Sequence, residues 1–305
     1  ASDASVRGDT NRILVSVVIP TYNCARYIGD ALKSVAMQSY SDIEIVVVDD
    51  GSDDKTQDAI AASGVPCRYV LNERKRGPSG ARNQGIEMCN GQFIAFLDAD
   101  DAWLPNKLAA QIPALQADAT LSALGGRMVP WESDAVDARF DSEIRRYSFD
   151  EMIVRNRLCT PTVVVRRDAI DRVGWFDEDL KLSEDFDLWL RLSKNGIVAR
   201  VETPLARFRQ RSEGLSAGNR DRTFALDIRF TRSLIDRYRD VPNISRLVKQ
   251  GIAAREFERA IELCDVEMRY RDAFIATVNS IRIWPWNNPI TPDHPLTRLR
   301  RLRRI

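Results

Sequence analysis

Phe93–Leu97 runs apolar without interruption, and Asp98, Asp100 and Asp101 follow within four positions. An unbroken apolar run of that length reads as a strand buried on both faces. Carboxylates cannot continue it into a core without a large desolvation cost. The strand therefore ends at Leu97 and delivers its acids to a rim. Comparable β-branched runs stand at 14–20, stopped by Pro20, and at 43–48, stopped by Asp49 and Asp50; a weaker one stands at 67–71. Between them the apolar spacing turns helical. Ile28, Leu32, Val35 and Ala36 predict a helix over 25–38, and further helices are expected at 56–62 and 80–89. Strands alternating with helices predict βαβ units and a largely parallel sheet.

The second half is less regular. A helix is expected over 105–115, a strand over 123–129, a loop or flap over 131–150 and a strand over 162–166. A short helix at 167–173 and a longer one at 184–194, closed by Asn195-Gly196, follow. Beyond residue 218 apolar spacing is helical around 224–235, 252–264 and 273–281. Prolines 285, 289, 292 and 295 then mark a stiff connector. The expected organisation is an α/β domain over 1–217 and a helical region over 218–305.

Charge and composition narrow the chemistry. A formal net charge of +1 gives no global case for nucleic-acid binding. The single histidine, His294, leaves no room for a His-based triad or a multi-histidine metal site. Five scattered cysteines without a CxxC pair point to reduced thiols in a cytosolic compartment, not to a disulfide frame or a zinc site. With no apolar run near the ~20 residues of a membrane span, the expectation is an intracellular protein.

The first strand is followed by no GxGxxG, which counts against a dinucleotide fold, and no GxxxxGK[ST] is present. Strand ends carry acids and an aromatic ring instead: Tyr22 after the first, Asp49 and Asp50 after the second, Asp98 and Asp100 after the fourth. In open α/β sheets ligands sit at the carboxyl ends of strands. A ring and a carboxylate there can hold a nucleobase by stacking and by accepting an N–H, although a loop tyrosine needs no such role. Two carboxylates one residue apart suit Mg2+ or Mn2+ with phosphate and water as the other ligands; an acidic turn ahead of a helix is the alternative. Gly77–Gly85 reads as a flexible turn opening a helix, with Arg82 as a candidate phosphate donor or a solvated side chain.

Val18–Asn23, Val48–Thr56, Gly80–Gly85 and Leu97–Asp101, taken as an ordered set, resemble the successive signatures of family 2 glycosyltransferases of the GT-A fold, the bacterial polysaccharide and lipopolysaccharide type. The resemblance covers residues 14–115 and resumes at 160–216. It implies a Rossmann-like, mixed and mostly parallel sheet flanked by helices, with a C-terminal helical extension. It also implies that Pro20, Tyr22 and Asp50 hold the base, that Arg82 lies near the diphosphate, that Asp98 lies near the ribose and that Asp100 binds the divalent metal. In Leu182–Leu192 it places the catalytic base at Asp185, with Glu184 and Trp189 beside an acceptor or donor pocket. Chemistry alone also allows Ser183 to cap a helix whose first turn tolerates acids.

Arg209 and Arg211 occupy the place where similar enzymes often carry an aromatic-Arg-x-His segment, with Arg211 in the histidine's position. Arginine cannot ligate a metal but pairs with phosphate, so looser metal binding is expected. The Gln-x-x-Arg-Trp signature of processive synthases is missing, which favours single transfers. Residues 296–305 place Leu299, Leu302 and Ile305 among five arginines, a basic amphipathic strip suited to the inner face of an anionic membrane, or else a solvated tail. The resulting expectation is an inverting, metal-assisted, non-processive transferase that moves sugar from a UDP-sugar to a glycan or lipid-linked acceptor. The alternatives are a sugar nucleotidyltransferase, whose glycine-rich first loop is lacking here, and a non-catalytic nucleotide-sugar binding module.

Overall fold

A computed structural model describes residues 14–72, 77–133, 143–210 and 220–286. The expected parallel core is present. β1 (Val15–Thr21) pairs in parallel with β2 (Ile43–Asp49) and with β4 (Phe93–Phe96), and β2 pairs in parallel with β3 (Arg68–Leu71). The other strands are β5 (Ala102–Trp103), β6 (Leu121–Pro130), β7 (Ile144–Tyr147), β8 (Val164–Arg166) and β9 (Ile197–Phe208). Among the described residues they form one mixed sheet of nine strands in the order β3-β2-β1-β4-β8-β6-β9-β5, with β7 against β9. β8 is antiparallel to both β4 and β6, whereas β6 and β9 run parallel.

The alternating side chains of β1 divide the core. Val15, Val17 and Ile19 pack with Ile28, Leu32 and Val35 of α1 (Ile28–Ala36) and with Leu108 and Ile112 of α4 (Lys107–Ala117). Ile60 of α2 (Thr56–Ala62) joins that layer. On the other face Val18 meets α3 (Gly77–Met88), where a Cβ on Gly85 would lie within 2.4 Å of Val18 Cγ1. Phe96, Phe176 and Trp189 form an edge-packed aromatic trio, with Trp189 supplied by α7 (Glu184–Asn195). A short helix, α6 (Arg167–Val173), follows β8.

Three local expectations are corrected. The turn at Gly77–Gly80 is already helical, because Pro78 in the first turn costs no intrahelical bond. The expected loop over 131–150 contains β7 and the start of α5 (Phe149–Val154), whose Ser148 and Glu151 form a reciprocal capping box. The longest strand, β9, was not anticipated at all.

By contact the chain divides into two compact units. One comprises 1–146, 158–179 and 184–210; the other comprises 147–157, 180–183 and 211–305. The second contains α5, α8 (Arg220–Arg237), α9 (Ile244–Asp265) and α10 (Tyr270–Ile283). Gly251 of α9 lets the backbone carbonyls of Ile153 and Val154 approach to 3.2 Å from where a Cβ would stand. Arg255 fastens the same place by donating to Val154 O and to Asp227 Oδ2, at 3.0 and 2.8 Å.

Replacing Gly85 by alanine should destabilise the first unit by about 1–3 kcal/mol, since the stiff, fully buried Val18 cannot yield. Chemical denaturation checks this: the G85A midpoint should fall with the slope unchanged.

Candidate active site

The rim begins where β1 and β2 end side by side. Asp50 N–H donates to Thr21 O at 2.9 Å, so the two loops leave the sheet in register. Asn23, at φ 49°, then exchanges bonds with Asp53: its Nδ2 donates to Oδ1 at 2.7 Å and its Oδ1 accepts Asp53 N–H at 2.9 Å. Asn23 N–H also donates to Ser52 Oγ, and Cys24 N–H to Thr56 Oγ1, each at 2.9 Å. Asparagine adopts left-handed backbone more readily than most residues, which suits this join. The stitched loops leave the Tyr22 side chain 57% exposed beside the half-buried Asp50. Pro20 is half-buried opposite Val48.

Asp49 and Asp50 divide their work. Asp49 is buried, and its Oδ1 accepts Gly51 N–H, Ser52 N–H and Ser52 Oγ–H while Oδ2 accepts Tyr69 Oη–H at 3.0 Å. Burial and the Asp49 charge push the Tyr69 phenol up to about 12. Asp49 is thus the structural member of the pair. Asp50 accepts Asn72 Nδ2–H at 2.7 Å and Gly77 N–H, the first amide of α3, at 2.9 Å.

α3 carries the centre of the site. Arg82 is 5% exposed, and its guanidinium lies 5.3 Å from the Phe176 ring centre. Nη2 donates to Asp98 Oδ1 at 2.8 Å, at the end of β4, and Nη1 donates to Glu184 Oε1 at 2.9 Å, at the start of α7. Burial works against the guanidinium charge, the carboxylates of Asp98 and Glu184 offset it, and Arg82 stays cationic. The next residue, Asn83, holds Phe176 in place by accepting its N–H and donating to its carbonyl, both at 2.9 Å.

Asp185 stands beside this cluster, half-buried. Its Oδ2 accepts Thr160 Oγ–H at 3.0 Å and its Oδ1 accepts Phe186 N–H at 2.6 Å, which fixes the plane of the carboxylate. Burial, and next the Glu184 charge, raise its pKa to about 6, against the lowering effects of Thr160 and Arg82. A carboxylate poised there has the basicity that proton abstraction near neutral pH requires. Thr160 was missed in the sequence. It lies in a short 3-10 turn (Thr160–Thr162) whose only signal is a proline between two threonines.

Asp100 is half-buried at the same strand end, whereas Asp101 is buried and accepts Arg209 N–H at 3.2 Å. Burial, followed by the charges of Asp98 and Asp100, pushes Asp101 up to about 8. Among the described residues no three His, Cys, Asp or Glu side chains are placed to ligate one ion. The donor chemistry of Asp98 and Asp100, two hard carboxylates at a rim, fits a Mg2+ or Mn2+ ion that draws its other ligands from phosphate and water.

Trp189, expected beside a pocket, and Arg209, expected to pair with phosphate, make other contacts. Trp189 is fully buried against Phe96 and Phe176, so it backs the ring under Arg82 and lines no open pocket. The Arg209 guanidinium pairs with Asp30 and lies against the rings of Trp131 and Tyr27, at 3.2 and 5.3 Å from their centres. Arg211 and residues 296–305 fall outside the described residues.

Residues 16–174 match the family model described as Glycosyl transferase family 2. The Escherichia coli protein WfaP, a UDP-Glc:alpha-D-GlcNAc-diphosphoundecaprenol beta-1,3-glucosyltransferase, is 31% identical over 190 residues, covering 61% of this chain and 73% of that one. Other curated relatives are matched over 60% and 58% of their own length. Among solved structures, S. aureus TarS 1-349 in complex with UDP-GlcNAc superposes with a TM-score of 0.63 at 22% identity, covering 89% of this chain and 81% of that one. The Pyrobaculum calidifontis mannosyltransferase PcManGT in complex with GDP-Man and Mn2+ gives 0.57 at 19%, covering 92% and 78%. These likenesses show the GT-A fold.

Two substitutions should move the Asp185 titration in opposite directions. Glu184→Gln removes a neighbouring negative charge and lowers it; Thr160→Val removes a hydrogen bond to the ionised form and raises it. Carbon-detected NMR titration of the side-chain carboxyls reads both shifts against the starting value near 6.

Proposed function

The chain belongs to glycosyl transferase family 2, and from that premise we propose that it transfers a sugar from a nucleotide-activated donor, a UDP-sugar, to a hydroxyl of a glycan or lipid-linked acceptor, with inversion and one sugar at a time. Residues 1–217 form the transferase domain in this reading. The observation that carries it is the meeting of Arg82, Asp98, Glu184 and Asp185 at one rim, with Asp185 poised near 6. Tyr22 stacks on the base and Asp50 accepts its N–H. Asp98 lies toward the ribose. Asp100, with Asp98 near it, would hold a divalent cation, which supplies positive charge to a departing diphosphate.

Asp185 takes the proton of the acceptor hydroxyl as the oxygen attacks the anomeric carbon from the face opposite the diphosphate. The bond to the leaving oxygen breaks as the new one forms, and the configuration inverts. Thr160 and the Phe186 amide hold the carboxylate plane for that transfer. Arg82 keeps Glu184 and Asp98 in place around it. WfaP bears a name that specifies a UDP-Glc donor and a diphosphoundecaprenol-linked acceptor. That supports a UDP-sugar and a lipid-linked acceptor here, with the basic run at 296–305 drawing the protein to the membrane surface. A non-catalytic binding module would need neither the oriented Asp185 nor its raised pKa. A sugar nucleotidyltransferase is disfavoured because Tyr22 and Asn23 follow β1 in place of a glycine-rich loop.

Asp185→Asn should lower turnover at least 100-fold while UDP affinity, read by calorimetry, stays within about twofold. Retained turnover would remove Asp185 from the role. In the unaltered protein kcat/KM should fall tenfold per pH unit below about 6 as Asp185 takes up a proton. Chelation of divalent ions should weaken UDP-sugar binding, and Asp100→Ala should abolish the difference between chelated and metal-replete protein.

A further inference from the structure

The helical unit carries a surface for which the transfer reaction has no use. α10 buries Ala273, Ala276, Thr277 and Ser280, spaced three or four apart, and Ser280 Oγ donates to Ala253 O of α9 at 2.6 Å. The opposite side of α10 is apolar where solvent exposure would predict polar residues. Six of the nine large apolar or aromatic side chains exposed among the described residues lie between 266 and 286: Val266, Met268, Tyr270, Phe274, Ile275 and Trp286. Phe274 and Ile275 are 48% exposed and Trp286 is 69% exposed. Scattered exposed apolar residues need no explanation, but a concentration in one helix and its flanks does.

The charges around this strip are mixed, but its acids Glu267 and Asp272 are tied to Arg269. Arg271 and Arg282 are exposed on the same outer side of α10, and Arg246 and Lys249 are exposed in the first turns of α9. None of the four forms an ion pair with another described residue, whereas Arg220, Arg259 and Arg269 in the same unit are all tied to carboxylates. Where α9 begins and α10 ends, Ser245, Arg246, Lys249, Trp284 and Trp286 line a cleft of about 540 Å3. The Arg246 guanidinium lies 5.5 Å from the Trp284 ring centre.

Aromatic and aliphatic side chains bordered by cations match the boundary between acyl chains and anionic headgroups. An acidic peptide would account for the cations and leave the apolar strip unused. A second copy meeting this face about a two-fold axis would set cations against cations.

We propose that the outer side of α10 with Trp286, together with the Arg246–Lys249 cleft, docks the protein on an anionic phospholipid bilayer, the cleft receiving a lipid phosphate. The docking surface is made of described residues of α9 and α10 with Trp284 and Trp286, and residues 296–305 are not part of the proposal. It does not depend on the transferase reading.

The test is flotation of the full chain with vesicles of phosphatidylglycerol and phosphatidylcholine, and with phosphatidylcholine alone. The chain should float with the anionic vesicles and not with the neutral ones. F274S/I275S and R246E/K249E should each reduce the partition coefficient at least tenfold, with UDP affinity unchanged because these residues lie outside the nucleotide site. Equal flotation of variants and unaltered protein would overturn the proposal, as would equal flotation on both vesicle types. So would a dimer in sedimentation velocity that F274S/I275S converts to monomer, because the face would then belong to a second copy. Any of these failures leaves UDP binding and sugar transfer to be measured on their own.

Discussion

A single buried guanidinium sets the geometry of the site. Arg82 is almost completely removed from water and lies against Phe176, which is in turn packed by Phe96 and Trp189. A cation in such surroundings persists only when paired and hydrogen-bonded. Asp98 and Glu184 balance the charge and accept from Nη2 and Nη1, one from the end of β4 and the other from the start of α7, while Nε is left without a hydrogen-bond partner among the described residues. The planar fork of arginine reaches two carboxylates in different directions, which a lysine ammonium does less well. The end of the parallel sheet and the helix that bears Asp185 are therefore held in one arrangement by electrostatics.

The same arrangement distributes proton affinity. Glu184, pinned by Arg82, is the charge next to Asp185 and helps to lift it to about 6, while Thr160 and Arg82 keep it from rising further. At the neighbouring strand end, crowding and burial lift Asp101 to about 8, so that near neutral pH it is mostly protonated. Asp185 and Asp101 are thus raised to different extents, and the cause in each case is burial first and neighbours second. Asp49 takes a further role, spent on Tyr69 and on the turn through Gly51.

Much of this was legible in the chain. The apolar runs ending in acids located β1, β2 and β4 and the rim they share, because burial on both faces leaves a plain mark on sequence. Asp50, Arg82, Asp98 and Asp185 were also identified as candidates, by resemblance and by chemistry. What escaped notice depends on long-range pairing. β9 alternates buried Val201, Thr203 and Leu205 with Glu202 and Pro204, and its Arg200–Glu202 pair and proline masked the strand. Thr160 contacts Asp185 across 25 positions, a proximity that no local pattern encodes. Trp189 was expected beside an acceptor or donor pocket, yet the Phe96–Phe176 pair draws its ring into the interior.

The Arg82 clamp also limits how the chain can be recombined. Its anionic partners come from separate stretches, Asp98 inside the family-matched segment and Glu184 beyond its end at 174. A chimaera that imported α7 from another transferase without a carboxylate at 184 would leave the buried Nη1 of Arg82 without its acceptor in an apolar setting. Exchange of acceptor-side segments is therefore permissible only in grafts that carry this acid along.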